Sequence, residues 1–370
     1  MGKRWTKEDV YYLFGVYHKD IGLENGIISK TLAKRGAPYV ENPAEEEIYR
    51  RLDGGQRRVV VRGPKGDGIS VAATAALAKQ ITYKNAVVVD VLLRKGFSDS
   101  AVELRQIVDL IEELKRKPIL YLDISRQWQY PLDPWSTLSE YMPHSLDRFI
   151  DALEDAEAVL EDREATTVIV LSSDLYNVLR YKLKKHVVVE VNGGNVDFIG
   201  KLAQAYGGCG EDTAYEVAEA VVKGYDCGRA VLAVLTADLL SRHSCDRKAV
   251  AEALKVAEHR AKRFIADYIW YLFNGDRLYA DIHAPLILLK RFKGPMQTEA
   301  AEEFLINLGF PRTCITRSLA VKWIAQQNCN LIDEAIKDIA DLRNLKGGLY
   351  DVMRRTRQKY YEHFKVWGYI

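Results

Sequence analysis

The sequence predicts an α/β protein, a parallel sheet covered by helices on both faces and followed by a purely helical half. Three observations carry this expectation. Short apolar, β-branched runs alternate with helical stretches through the first half of the chain, the strand signal stops at Val191, and beyond it apolar residues recur only at helical spacing. Runs that are apolar along their whole length belong to strands buried on both faces.

Taken in order, the first run is 58–62, and a glycine-rich turn leads from it to a helix over about 70–80. The second run, 86–92, precedes a stretch over 99–115 in which Val102, Leu104, Ile107, Val108, Ile111 and Leu114 keep helical spacing. The third is 118–124, the fourth 166–171 and the fifth 187–191. Ligands of such sheets sit at the carboxyl ends of the strands, where Gly63, Asp123 and Ser172 fall. Helices are then expected over 196–206, 211–223, 229–242 and 246–273, the last capped by Asp246. The helical pattern continues over 284–292, 299–308 and 316–339, broken by Gly294 and Pro295 and again by Gly309 and Pro311.

The turn after the first run reads VVVRGPKGDGIS over 59–70 and has the outline of a phosphate-binding loop. Gly63, Gly68 and Ser70 stand where the pattern G-x-x-x-x-G-K-[ST] wants glycine, glycine and hydroxyl, but Ile69 holds the lysine position. Glycines let the backbone curl so that its N–H groups face an anion, and the alanine-rich helix that follows points its positive end at the same place. The lysine would have supplied the point charge for the β- and γ-phosphates. Isoleucine cannot, and Asp67 adds negative charge where a nucleotide brings more. Lys65 is a displaced candidate for the missing charge. The same glycines also suit a strand-to-helix turn that holds nothing.

With 370 residues, 48% hydrophobic and 28% charged, the chain can bury a large core and divide into two or three domains. Its longest apolar runs fall far short of the roughly 20 residues of a membrane helix, and no basic-then-apolar leader opens it. A cytoplasmic protein without membrane contact is expected. The net charge of +2 forces no acidic partner, so any nucleic-acid argument rests on local clusters. Five cysteines (Cys209, Cys227, Cys245, Cys314, Cys329) are scattered, without a C-x-x-C pair, and read as structural thiols. His243 with Cys245 is too little for zinc. Abundant Glu, Lys, Arg and Tyr with little Gln suit a thermophile, a setting in which intracellular disulfides occur.

This layout resembles archaeal P-loop NTPases of the AAA+ and STAND ATPase type over most of the chain. In that family an acidic pre-loop helix ends in a turn, like 43–52 (PAEEEIYRRL) followed by Asp53, Gly54 and Gly55. A Walker B strand ends in an aspartate, like 119–123 (ILYLD), and the resemblance implies that Asp123 holds Mg²⁺ through water. A sensor strand ends in a polar residue near the γ-phosphate, like Ser172 and Ser173, and a lid arginine, Arg229 or Arg260, touches that phosphate. The resemblance implies a P-loop NTPase-like domain over 1–193, a helical lid over 194–275 and a helical or winged-helix-like C-terminal domain over 276–370. It further implies ATP or ADP with Mg²⁺, held by Gly63, Pro64, Lys65, Gly66, Asp67, Gly68, Ile69 and Ser70.

Two departures coincide. Active members carry the loop lysine and an acid after the Walker B aspartate, where this chain has Ile69 and Ile124. Phosphoryl transfer is mostly positioning and charge neutralisation, so ATPase activity is expected to be weak or absent, and the protein to act as a scaffold or switch with a hinge near Gly193 and Gly194. Plainer readings stand beside these. Asp123 also suits a strand-end carboxylate, and Ser173 or Asp174 the N-cap of a helix beginning at Leu175.

The chain ends in a basic, aromatic stretch. Arg354, Arg355, Arg357 and Lys359, interleaved with Tyr350, Tyr360, Tyr361 and Phe364, are candidate DNA contacts. An amphipathic helix docked on its own domain fits the same pattern. DNA binding through this tail with a purely structural P-loop domain is the alternative function. A protein partner or a second copy of the chain, and an active ATPase with displaced groups, complete the expectations.

Overall fold

Five parallel strands and a short antiparallel edge make a single sheet in the computed structural model, which describes residues 16–17, 39–93, 100–124, 146–242, 245–272, 286, 296–307, 312, 319–326 and 329–333. The strands are β1 (Val16–Tyr17), β2 (Arg58–Gly63), β3 (Ala86–Asp90), β4 (Lys117–Asp123), β5 (Thr166–Ser172) and β6 (Val187–Glu190), in the order β1-β3-β4-β5-β2-β6. The fold is α/β, with helices on both faces of the sheet and a helical part after β6. All five expected runs are strands. The second is shorter than its apolar run, because the chain turns into a 3₁₀ helix over Val91–Leu93. β1, which pairs with β3, carries too few residues to give a periodic signal.

The two-residue period of the strands divides the core into two faces. Val59, Val61, Ile119, Tyr121, Val168 and Val170 pack with α1 (Glu45–Asp53) and α2 (Ile69–Lys84). Val60, Leu120, Leu122, Ile169 and Leu171 pack with α3 (Ser100–Glu113) and α4 (Leu146–Asp162). Continued to the strand ends, this alternation assigns Gly63, Asp123 and Ser172 to the α1/α2 face. Gly63 is level with Ser172, while Asp123, paired with Val170, stands two residues short of them. α2 is buried nearly all round, which its alanines Ala72, Ala73, Ala75, Ala76 and Ala78 permit by letting backbones approach closely.

After α5 (Ser173–Leu179) and β6, the described chain is helical. It runs through α6 (Val196–Gly207), whose Asn195 cap accepts from the Phe198 amide at 2.9 Å, then α7 (Glu211–Gly224), α8 (Arg229–Ser241) and α9 (Val250–Leu272). Asp246 is a cap, as expected, but of a 3₁₀ turn over Arg247–Ala249 that precedes α9. Further along are α10 (Thr298–Asn307) and α11 (Leu319–Gln326). The fully buried Trp323 of α11 donates its indole N–H to Asp174 of α5, which ties the late helices to the sheet edge. α5 also begins two residues earlier than expected, so Ser172, not Ser173 or Asp174, stands at its N-cap.

The cysteines correct the sequence reading. Four of them form disulfides, Cys209–Cys245 with Cα atoms 5.4 Å apart and Cys227–Cys329 with Cα atoms 5.7 Å apart. Spacing along the chain cannot reveal such pairs, because the partners lie 36 and 102 residues apart. Cys314 and His243 lie outside the described residues, as does the basic tail with Arg354, Arg355, Arg357 and Lys359. No helix among the described residues is long and apolar enough to cross a membrane.

Closing a loop of 102 residues removes much unfolded-state entropy. Cys329→Ser is therefore expected to lower the unfolding free energy by about 3–5 kcal/mol. Denaturant unfolding of both proteins measures this, and equal midpoints would show that the bridge contributes nothing.

Candidate functional site

β2 ends at Gly63 and α2 begins at Ile69, so the five residues between them turn the chain through the carboxyl edge of the sheet. Gly66 and Gly68 adopt φ of 80° and 90°, values that side chains with a Cβ rarely tolerate. A Cβ on Gly63 would lie 2.5 Å from the Val191 carbonyl oxygen. The turn closes on itself through the Asp67 amide, which donates to the Pro64 carbonyl at 3.2 Å. The amides of Gly66, Gly68, Ile69 and Ser70 make no hydrogen bond among the described residues. They form a run of free donors at the positive end of α2, as an anion-binding loop requires.

A further donor lies beside the loop. The Asn42 side-chain oxygen accepts from the Ala44 amide at 2.9 Å, which fixes the orientation of its carboxamide. Its Nδ2 is buried without a partner, and a Cβ on Gly68 would meet it at 3.3 Å. Buried donors left unpaired are few in folded proteins. The loop amides and Asn42 thus fit an anionic ligand such as a nucleotide phosphate.

The two isoleucines that replace expected functional groups are core residues. Ile69 is buried with Ile48, Val61 and Ala73 on the α1/α2 face, and its Cγ1 approaches Gly63. Ile124 follows β4 and is buried on the opposite face beside Leu104 and Phe149.

Positive charge comes from Lys65, whose side chain is only 2% exposed. Burial pulls its ammonium down to about 7, while the charges of Asp123 and Asp174 oppose that shift. Asp123 is itself buried and accepts from the Tyr121 hydroxyl at 2.6 Å. Ser172 is buried at the end of β5, and Ser173 is half-buried at the start of α5.

Asp67 holds the loop to the helical part. Its carboxylate accepts from the Arg229 amide at 2.7 Å and from the Arg229 guanidinium at 3.1 Å. Around this pair, the Gly228 amide donates to the Lys65 carbonyl at 2.6 Å and the Val231 amide to the Gly66 carbonyl at 3.2 Å. The N-terminal turn of α8 is therefore docked on the loop, its dipole directed at a buried carboxylate. Burial pushes Asp67 up to about 7, and the Arg229 charge and hydrogen bonds oppose it. Gly193 completes the clasp, since a Cβ there would fall 2.2 Å from the Asp67 carboxyl carbon.

These contacts separate the two candidate arginines that the sequence left equivalent. Arg229 is engaged by Asp67, whereas Arg260 is exposed on α9, away from the clasp contacts. Sequence reasoning missed Asn42, Gly228 and Trp323 as parts of the site. Asn42 carries the faint signal of an Asn-Pro turn before an acidic helix. Gly228 and Trp323 join the site only through contacts distant in sequence.

No family model matches the sequence, and no curated protein matches it. Among solved structures, the chain is similar to the Aeropyrum pernix ORC2 protein in ADPNP-ADP complexes, with 12% identity over 90% of this chain and 98% of that one at a TM-score of 0.43. It is also similar to CDC6P from Pyrobaculum aerophilum, with 13% identity over 85% and 98% of the two chains at a TM-score of 0.37. For C. elegans PCH-2 the values are 14% identity, 70% and 73% coverage and a TM-score of 0.35. At these scores the likeness makes no statement about function, and the fold stands on the strand order and register described above.

Arg229→Ala strands a buried carboxylate and is expected to cost about 3–5 kcal/mol in denaturant unfolding. Replacing Asp67 and Arg229 together by leucine is expected to recover most of that loss, and a double variant as unstable as the single one would refute the clasp. Ile69→Lys, which restores the sequence pattern, places an ammonium among apolar side chains. It is expected to destabilise the fold by about 3 kcal/mol or more, and a gain in ATP affinity at unchanged stability would show that Ile69 faces the ligand.

Proposed function

We propose that this protein is an AAA+/STAND-like P-loop protein that binds ATP or ADP weakly, does not turn it over, and works as a scaffold or switch. The observation that carries this reading is the set of amides of Gly66, Gly68, Ile69 and Ser70, unbonded among the described residues, with the unpartnered Asn42 Nδ2 beside it. These groups would hold phosphate oxygens, and Lys65 would supply positive charge from within the same loop. The nucleotide would contribute anionic charge at the junction of the sheet and the helical part.

Loss of turnover follows from the two core isoleucines. Neither position can neutralise charge on a transferring phosphoryl group or activate water, and each such group is typically worth about 10²–10³ in rate. A switch role follows from the contacts of the loop. It is bonded to the start of α8, and Asp174, whose charge acts on Lys65, is bonded to Trp323 of α11. A phosphate-dependent shift at the loop would reach both helical segments through these contacts. The alternative is DNA binding through Arg354, Arg355, Arg357 and Lys359, which the basic, aromatic pattern of that stretch supports, or association with a protein partner or a second copy.

Calorimetric titration with ATP and ADP is expected to give saturable heat while phosphate release stays at the blank level. Asn42→Leu, which removes the orphan donor, is expected to weaken binding by about tenfold (~1.4 kcal/mol) while the protein stays folded by circular dichroism. Absence of heat at saturating nucleotide would sink the nucleotide reading, and steady turnover near ordinary enzyme rates of about 1 s⁻¹ would sink the claim of lost catalysis.

A further inference from the structure

We propose that the chain modifies itself at Asn192, whose side-chain amide is lost to attack by the Gly193 amide nitrogen, and that the product loosens the Asp67 clasp. The inference goes beyond the nucleotide reading and does not depend on it.

Asparagine before glycine is the context in which this chemistry is least hindered, because glycine has no Cβ to crowd its own amide nitrogen. Asn192–Gly193 is such a pair, and it lies in the connection between β6, which ends at Glu190, and α6, which begins at Val196. Reach is built into the covalent structure. Attack of the Gly193 nitrogen on the Asn192 side-chain carbonyl carbon closes a five-membered ring, and a reaction between groups of one chain gains from their proximity.

The fold readies both groups. The Asn192 side-chain oxygen accepts from the Gly194 amide at 2.9 Å, so the carboxamide is folded back over the chain that follows it. The same bond polarises the carbonyl and stabilises the negative charge that its oxygen gains in the tetrahedral intermediate, as backbone donors do in acyl transfer. The Gly193 amide donates no hydrogen bond among the described residues, so its nitrogen gives up no partner there when it attacks. Asn192 is exposed, which admits the water that the second step consumes.

In the first step a bond forms between the Gly193 nitrogen and Asn192 Cγ, and the Cγ–Nδ2 bond breaks. The Gly193 amide proton leaves with the departing nitrogen as ammonia, and a succinimide remains. Water then adds to one ring carbonyl carbon, whose bond to the Gly193 nitrogen breaks while that nitrogen regains a proton. Opening at Cγ gives aspartate. Opening at the main-chain carbonyl carbon gives isoaspartate, in which the former side chain carries the main chain onward. Nothing is oxidised or reduced.

The consequence follows from what Gly193 touches. A Cβ there would fall 2.2 Å from the Asp67 carboxyl carbon, so the chain passes Asp67 without spare room. Isoaspartate lengthens the main chain by one methylene immediately before that contact and moves Gly193 against Asp67. Both products also bring a carboxylate that is ionised at neutral pH into the segment that passes a buried one. The Asp67–Arg229 bonds at 2.7 and 3.1 Å lie on the other side of the same carboxyl group.

The test is incubation of the full chain at mildly alkaline pH, folded and in denaturant, followed by peptide mass spectrometry. Fragments separate conversion at Asn192 from that at the other Asn-Gly pairs, Asn25–Gly26 and Asn274–Gly275. Aspartate and isoaspartate at 192 are expected to form in the folded chain at a rate within about tenfold of that in denaturant, or faster. Conversion slowed beyond that by folding would overturn the proposed site. The isoaspartyl fraction, isolated by ion exchange, is expected to unfold at a lower denaturant concentration than the unconverted chain, and equal midpoints would overturn the effect on the clasp. Asn192→Gln, in which attack would need a larger ring, is expected to keep its midpoint through the same incubation. The wild-type comparisons need no variant, so the inference stays falsifiable even where Asn192→Gln folds poorly.

Discussion

A carboxylate buried inside a glycine-rich loop has to be neutralised, and much of the site follows from how Asp67 meets that demand. Its partner is Arg229, 162 positions further along, which contributes both an amide and a guanidinium. To bring that residue within reach, the N-terminal turn of α8 is placed on the loop, and the Gly228 and Val231 amides then find the loop carbonyls. Gly193 is needed because no side chain fits between the clasp and the chain leaving β6. A feature that looked like a flaw in a phosphate loop is thus the group that fastens it to the helical part.

Positive charge is redistributed in a consistent way. Where the loop pattern wants lysine the chain has a core isoleucine, and the position after Asp123 is also core, on the opposite face of the sheet. Apolar contact at Ile69 strengthens the packing of α2 on β2, where a lysine would have to be kept in contact with a ligand. The one lysine of the loop, Lys65, is buried instead. Such an arrangement favours a stable, occupied or unoccupied, loop over one tuned to a transition state.

The sequence revealed those parts of the fold that repeat along the chain. Five strands and most of the helices were legible because apolar residues recur with periods of 2 and 3.6, and the loop was legible because its glycines are local requirements. What escaped depends on distant partners. The disulfides, the Asp67–Arg229 pair and the Trp323–Asp174 bond each join segments whose approach is set by packing. Asn42 escaped for a different reason. Its meaning lies in the hydrogen bond that its Nδ2 does not make, and only a folded chain shows that the atom is both buried and unpaired. Ile69 was legible as a departure from a pattern, but the sequence could not say that its side chain belongs to the core.

The clasp and the proposed anion site are adjacent, and this adjacency sets their coupling. An uncompensated carboxylate at Asp67 would repel a phosphate arriving at the amides of Gly68, Ile69 and Ser70. With Arg229 against it, that repulsion is offset before any ligand enters. On the proposed reading, the affinity of the loop for an anion would depend on whether α8 is docked. Coupling of this kind is reciprocal, so a ligand that binds better to the docked state must stabilise docking by the same free energy. Turnover is not needed for such a switch. It would need the helical part to have a docked and an undocked position, and Asp67, bonded across loop and helix, is the group through which the loop would distinguish them.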